Sequence, residues 1–498
     1  MAIHNLRVLQ NRVNDKRWLR HTLFSKNALL LGIFFLILSP GLYVNKFKAY
    51  ISLFIALGIL LIYMMGLIIV RKKAKYLPVY VMLVSAFIPS LMIGFIGAAI
   101  GLILFAVNWP PKNLDTFTKL VFLFTGFLFL TWLVHLGYTT DFWCLPLYLL
   151  TFCAYILVAV FAQWRTWTPR ELDRLAKLWI LCIALQVLPM VIKPLAVGQP
   201  SLIFRFSDLN HGTLTRAHYA GVLLSLLIVF LILLSIEKHK RSYILLAGAY
   251  VFLFYVTDTK HAILAMLPAV GIAIIPWLHC RKRQGIVRVL FLISILLLIF
   301  PFLGSLFAEF DRTVWNKFVI NPANPKSIFF RRTINTLSHG GLNVLMGLGP
   351  GGYASRVAVS RAIDVLYKES YKLPSFISPF SSPIYRKVMR GLYTGPSLPS
   401  VVLGAPFSSL MGVFGELGLF GTVILTLIYI VIAKAAYQVQ RNDKSPVWRA
   451  FGGTAFFAVP YLWGLSFLDS YMEQPNVIIP FWILFLMILL RRRLLNNN

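Results

Sequence analysis

Three things are scarce in this chain: acid, cysteine and, over one long stretch, lipid-compatible sequence. The 16 Asp and Glu among 498 residues form no carboxylate cluster of the kind that holds Mg²⁺ or Mn²⁺, so neither a metal nor a cofactor is predicted. The four cysteines, Cys144, Cys153, Cys182 and Cys280, lie in or at the ends of apolar runs without zinc-like spacing. That excludes a disulfide framework and leaves them as small core residues. No internal repeat or low-complexity linker divides the chain. Charged residues are 13% of the sequence and hydrophobic ones 59%, which excludes an ordinary soluble globule. Between Phe310 and Ala405 no run is long and apolar enough to span a bilayer, whereas most of the remainder is built for one.

The apolar runs are continuous rather than alternating. In lipid the backbone must satisfy its own hydrogen bonds, so these runs predict an all-α polytopic helical bundle rather than a barrel. Leu29 to Val44 mimics a signal peptide, but no small-residue cleavage site follows, and Ser39-Pro40-Gly41 reads as a kinked helix end. The 48 Lys and Arg give a formal charge of +32. In a soluble protein that would suggest nucleic acid. In a chain this apolar it reads as loop charge that orients the spans, so no nucleic-acid partner is predicted.

Basic clusters mark one side of the membrane. They lie at Arg7–Lys26, Arg71–Lys75, Lys238–Arg241, Arg281–Arg283, Arg441–Arg449 and Arg491–Arg493. Spans are expected near 28–45, 49–70, 117–137, 141–163, 173–195, 216–236, 241–257, 260–280, 286–308, 406–434, 447–468 and 475–490. The block at 77–108 decides the parity. Read as one helix, it puts the later basic clusters on the wrong side. Read as a tight hairpin, it restores them all, and Gly94, Gly97 and Gly101 permit the close approach such a hairpin needs. The count is then about 14 crossings, or about 12 if the hairpin only dips in, with both termini cytoplasmic. Three regions follow: membrane helices over 1–309, a large extracytoplasmic loop over 310–405, and membrane helices over 406–498.

The external surface breaks the charge rule. Its large loop carries a dozen basic residues, Arg331, Arg332 and Arg356 among them, and the shorter external segments add Arg205, Arg216 and Lys260. Arginine matches phosphate with a bidentate fork and keeps its proton, so such a surface suits an anionic ligand. The plainer alternative is a solvated loop lying near anionic membrane lipid. Gly347-Leu348-Gly349-Pro350-Gly351-Gly352-Tyr353 is a permissive turn whose amides could approach phosphate or sugar. Alternatively it is only a turn. Arg205-Phe206-Ser207-Asp208-Leu209-Asn210-His211, with Arg216 and His218, clusters polar groups at a membrane edge, where interfacial anchoring is the alternative. Lys260 follows a very short external link and either lines a cavity rim or snorkels to headgroups. Glu416 is an acid inside an apolar helix and must find a partner. It is a candidate general base or an orienter of arginine; an interhelical pair is the structural alternative. His339 and His211 are the other candidate bases, and Tyr353, Tyr371, Tyr385 and Tyr393 are candidates for sugar stacking.

Three local features resemble one superfamily. They are the Thr257-Asp258-Thr259-Lys260-His261 junction, Gly347-Leu348-Gly349-Pro350-Gly351 after a basic stretch, and Ser408 followed by Glu416-Leu417-Gly418 and Gly421. Over roughly residues 200–440 the chain is similar to the bacterial O-antigen ligases and Wzy-type polysaccharide polymerases. The resemblance implies a GT-C-like membrane glycosyltransferase with one large periplasmic loop. It implies substrates carried on undecaprenyl diphosphate at the outer face of the bacterial inner membrane, and a chain-length regulator as a partner. The ligases carry a His just before the position matched by Ser408. Here that place is Phe407, which transfers no proton. A polymerase is therefore expected ahead of a ligase, with a lipid-linked-oligosaccharide flippase as the reading from another class. The expected reaction is metal-independent and inverting, with Arg205, Arg216, Lys260, Arg331, Arg332 and Arg356 holding the diphosphate.

Overall fold

A computed structural model describes residues 26–38, 77–88, 97–99, 102, 114–196, 214, 217–257, 260–280, 325–338, 341–353, 355, 357–358, 384 and 408–496. Among the described residues the secondary structure is helical, with no strand. The helices are α1 (Lys26–Leu38), α2 (Leu77–Ser85), α3 (Thr116–His135), α4 (Cys144–Gln163), α5 (Pro169–Ala184), α6 (Val187–Ala196) and α7 (Ala217–Lys238). They continue with α8 (Arg241–Val256), α9 (Lys260–Cys280), α10 (Pro325–Ser338), α11 (Gly341–Met346), α12 (Ser409–Asn442), α13 (Pro446–Leu468) and α14 (Pro475–Asn496). Six stretches are long and apolar enough to cross a membrane: α3, α4, Pro169–Ile192, His218–Lys238, α12 and α13. The expected spans near 49–70 and 286–308 lie outside the described residues.

Local chemistry sets the helix ends. Asp115 caps α3 by accepting from the Thr118 amide at 2.8 Å. Thr168 and Glu171 cap α5 reciprocally, with Pro169 in the first turn. That cap starts the span at Pro169, earlier than the expected 173, because the polar first turn is still helical. The same span breaks between Ala184 and Val187 before continuing as α6. In α4, Leu149–Cys153 forms a π turn.

The bundle is built around α14 and α7. From Pro475 to Leu490 every residue of α14 is buried. Pro480 interrupts its hydrogen-bond ladder, and the Trp179 indole N–H donates to the Pro480 carbonyl at 2.8 Å. α2 ends just after Ser85, and Asn476 Nδ2 donates to the carbonyls of Ala86 and Ile88. Gly97 lies against it: a Cβ there would be 2.0 Å from Ser85 Oγ. Gly94 and Gly101, the other glycines of the expected hairpin, lie outside the described residues.

One end of the bundle gathers basic turns. Arg491 pairs bidentately with Asp443, Nε to Oδ2 at 2.6 Å and Nη2 to Oδ1 at 3.0 Å. Its guanidinium also sits 5.2 Å from the Trp448 ring centroid. The Trp448 indole N–H donates to Asp173 at 2.9 Å, and Arg449 Nη2 pairs with Glu237 at 2.6 Å. Arg493 donates to the Gln163 carbonyl, which brings the α4–α5 turn to the same end. Three of the six sequence clusters, Lys238–Arg241, Arg441–Arg449 and Arg491–Arg493, therefore share one end. The α3–α4 turn, the α13–α14 turn, the start of α12 and the glycine-rich loop meet at the other, called the loop end below.

Candidate functional site

The loop end is organised by a break in α12. Gly418 has φ +62° and ψ −162°, inside a helix that otherwise runs from Ser409 to Asn442. Such a conformation is left to glycine, and it interrupts the ladder. Just before the break the loop docks on the helix backbone: the Leu348 amide donates to the Gly415 carbonyl at 3.0 Å, and the Gly349 amide to the Glu416 carbonyl at 2.9 Å. The fit leaves no room for a side chain. A Cβ on Gly347 would lie 2.3 Å from the Glu416 carbonyl carbon, and one on Gly418 2.4 Å from the Leu345 carbonyl oxygen.

The Glu416 side chain turns back into the same loop and is fully buried. Its Oε2 accepts from the Gly351 amide at 3.0 Å, and its Oε1 from the amides of Ser355 at 3.0 Å and Tyr353 at 3.3 Å. Three alternate amides of one turn converge on a single carboxylate and make a concave anion site of backbone N–H groups. The glycine-rich turn does gather amides around an anion, as its sequence suggested, but that anion belongs to the protein. Glu416 thus finds its partners in the loop, in backbone amides and the Ser355 hydroxyl, rather than in arginine or another helix.

Tyr353 is fully buried too, so it lies inside the protein rather than on a sugar-binding surface. Its ring packs 5.9 Å from that of Phe329 and its hydroxyl bonds to that of Thr333. Burial holds its phenol above the ordinary range, so it stays neutral. Thr333 belongs to α10, the helix that carries Arg331 and Arg332. Phe329, Leu337, Leu348, Tyr353 and Ala358 form a small core of their own at this end. Phe330 packs against Phe467 of α13 at 5.2 Å. The arginine helix is therefore fixed to the bundle through one continuous chain of contacts: Glu416, the loop, Tyr353 and Thr333. Arg331 is exposed and Arg332 half-buried.

Below the loop lies a second set of polar contacts. The Thr139 hydroxyl donates to the Leu348 carbonyl at 2.5 Å, tying the α3–α4 turn to the loop. Ser408 caps α12 by accepting from the Met411 amide at 3.2 Å, and donates to the Ser466 carbonyl at 2.9 Å. The Met472 amide donates to Ser409 Oγ at 3.1 Å, and Tyr155 donates its hydroxyl to the Met472 carbonyl. The half-buried His218 packs edge-on to Tyr219 at 4.5 Å and to Tyr471 at 6.0 Å.

The structure thus brings together Glu416, Tyr353, Arg331 and Arg332 from the sequence candidates. Arg205, His211, Arg216, His339, Arg356, Tyr371, Tyr385 and Tyr393 lie outside the described residues. Lys260 opens α9, with its side chain likewise outside them. Sequence reasoning missed Thr333, Thr139 and Ser409, whose roles are contacts with distant backbone or side chains. Among the described residues no three His, Cys, Asp or Glu side chains gather as a metal site requires. Compared with known proteins, the chain matches no family model and no curated sequence.

Proposed function

We propose that the protein is a membrane glycosyltransferase, a polymerase that joins oligosaccharide units carried on a lipid diphosphate. The observation that carries this reading is the placement of Arg331 and Arg332 on one helix, tied to the bundle by the Tyr353–Thr333 contact at the end opposite the basic turns. By the positive-inside rule the basic end is cytoplasmic and the loop end faces out. In this reading the chain crosses the bacterial inner membrane about 12 to 14 times with both termini inside. The fold is then GT-C-like, with 310–405 as its large outer loop.

The reaction needs little more than charge placement. A sugar hydroxyl attacks the anomeric carbon of the growing chain and loses its proton. The anomeric C–O bond breaks, and its electron pair leaves with the diphosphate. Fixed guanidinium groups stabilise the negative charge that develops there. Arg331 and Arg332 take that role, joined by Arg205, Arg216, Lys260 and Arg356. Glu416 is reassigned from candidate base to positioning residue, because three amides already engage its carboxylate. Tyr353 is reassigned in the same way. His211 and His339 stand as the proton acceptors in this scheme.

A flippase is the second reading, favoured by the broken helix at Gly418, since interrupted helices line substrate paths in transporters. Purified protein in nanodiscs, given lipid-linked repeat units, separates the possibilities. Longer glycans on the lipid support the polymerase, and transfer to lipid A core supports a ligase. Movement across the bilayer of proteoliposomes without new linkages supports the flippase. Arg331→Ala and Arg332→Ala should each lower turnover about 10- to 100-fold, the worth of a charge-assisted hydrogen bond of about 1.5–3 kcal/mol. Wild-type turnover in both variants would remove these arginines from the scheme.

A further inference from the structure

The faces of α10 and α11 that the bundle leaves uncovered are partly apolar. Ile334 is 58% exposed, Leu342 70% and Leu345 37%. Within α10 the exposed positions 331, 334, 335 and 338 recur at helical spacing, so Arg331 and Ile334 share one side; on α11 the exposed Leu342 and Leu345 stand three residues apart, likewise on one side.

This apolar surface is continuous with the lipid-facing stripe of α12. The Leu345 carbonyl lies against Gly418, and the residues that follow Gly418 on α12, Leu419, Phe420 and Val423, are themselves exposed. Phe330 of α10 packs on Phe467, another exposed apolar side chain. The depth can be read along the helix. From Gly418 to Gln438 the chain rises about 30 Å at about 1.5 Å per residue, which is the thickness of a bilayer's hydrocarbon core. α3 is of similar length, and the turn after it, with exposed Tyr138 and Phe142, is bonded to Leu348. Aromatic side chains at span ends mark the interface. The Gly418 kink, α11 and the α3–α4 turn are therefore at one level, where the spans leave the oil.

We propose that α10 and α11 rest on the bilayer surface at the loop end. In that arrangement Ile334, Leu342 and Leu345 insert below the headgroups and Arg331 reaches the depth of lipid phosphates. The partner is the membrane itself. Apolar side chains flanked by arginine are the chemistry of an interfacial helix, and the surface they extend already faces lipid. The placement stands independently of the proposed glycosyl transfer, and no glycan substrate enters its test.

The test is a depth measurement on the full chain. Leu342→Cys is made in a Cys280→Ser background, because Cys144, Cys153 and Cys182 are buried. It is labelled with an environment-sensitive fluorophore and reconstituted in nanodiscs. Lipids brominated near the carbonyl end of the acyl chain should lower emission about twofold, since an interfacial helix buries its apolar face about 5–10 Å into that boundary. Aqueous iodide should change emission little. Ile334→Cys should behave alike and serves if the first variant does not fold. Quenching by iodide without quenching by bromolipid would place the helices in water and overturn the proposal. Protection from both quenchers would mean that protein covers this face, either a second copy or another segment of the chain, and would overturn it equally. Comparable quenching by both would put the label at no fixed depth, which also overturns it.

Discussion

Replacing Glu416 by Gln keeps the side-chain volume and removes the charge, and the outcome separates two roles for this residue. In the wild type, Oε2 accepts from the Gly351 amide and Oε1 from those of Tyr353 and Ser355. Glutamine offers one acceptor oxygen and one donor nitrogen. If its oxygen stays with Tyr353 and Ser355, the Gly351 amide faces an NH₂ group. Turned over, it strands the other two amides, so the first arrangement costs less. A stranded buried amide costs about 1–3 kcal/mol, and each of the two retained bonds weakens by about 1 kcal/mol on losing its charged acceptor. The loss is then about 3–5 kcal/mol. Thermal unfolding in nanodiscs should show a clearly lowered midpoint, and limited proteolysis should cut the 347–358 loop faster. A general base would behave differently: its amide variant would lose turnover and keep its unfolding temperature. An E416Q protein with wild-type midpoint and wild-type resistance to protease would refute the positioning role.

The kink can be tested with Gly418→Ala, which should cost about 1–3 kcal/mol for the backbone conformation alone, with further loss from crowding the Leu345 carbonyl. Gly126→Ala is the control: its Cβ would meet nothing within 4 Å, so its unfolding midpoint should match or exceed wild type by up to about 1 kcal/mol of helix propensity. If the two variants unfold alike, α12 is not broken at Gly418. At the basic end, Arg491→Gln leaves the fully buried Asp443 carboxylate without its bidentate partner and should cost about 3 kcal/mol, seen as a lower midpoint. An unchanged midpoint would mean that Asp443 reaches water in solution.

Some of this arrangement was legible in the sequence. Apolar run length placed α3, α4, α7, α8 and α13 to within a few residues, because lipid permits so few backbone solutions, whereas α12 runs eight residues past the expected end at 434 into its basic, polar last turns. Basic clusters more than two hundred residues apart fell at one end, because charge and span length jointly constrain topology. Glu416 stood out for a sound reason, since an acid in an apolar helix demands a partner. What one-dimensional pattern cannot supply is the partner's address. Gly351, Tyr353 and Ser355 meet Glu416 through backbone amides, and every residue except proline carries one, so composition gives no signal for them. Thr333 was invisible for a related reason: its role depends on facing Tyr353 in space. The nearest sequence clue was the coincidence of two glycine-dense stretches, 347–352 and 412–421, which fit together by lacking side chains.

The built-in carboxylate also fixes when the loop end can mature. Residues 347–355 are synthesised before Glu416, and the anion that gathers their amides lies over sixty positions later in the chain. Until α12 is inserted, the amides of Gly351, Tyr353 and Ser355 lack that acceptor. The arginine helix anchored through them therefore acquires its final pose late in biogenesis. A ribosome stalled before Ser408 would leave an N-terminal bundle in the membrane with its loop end unassembled.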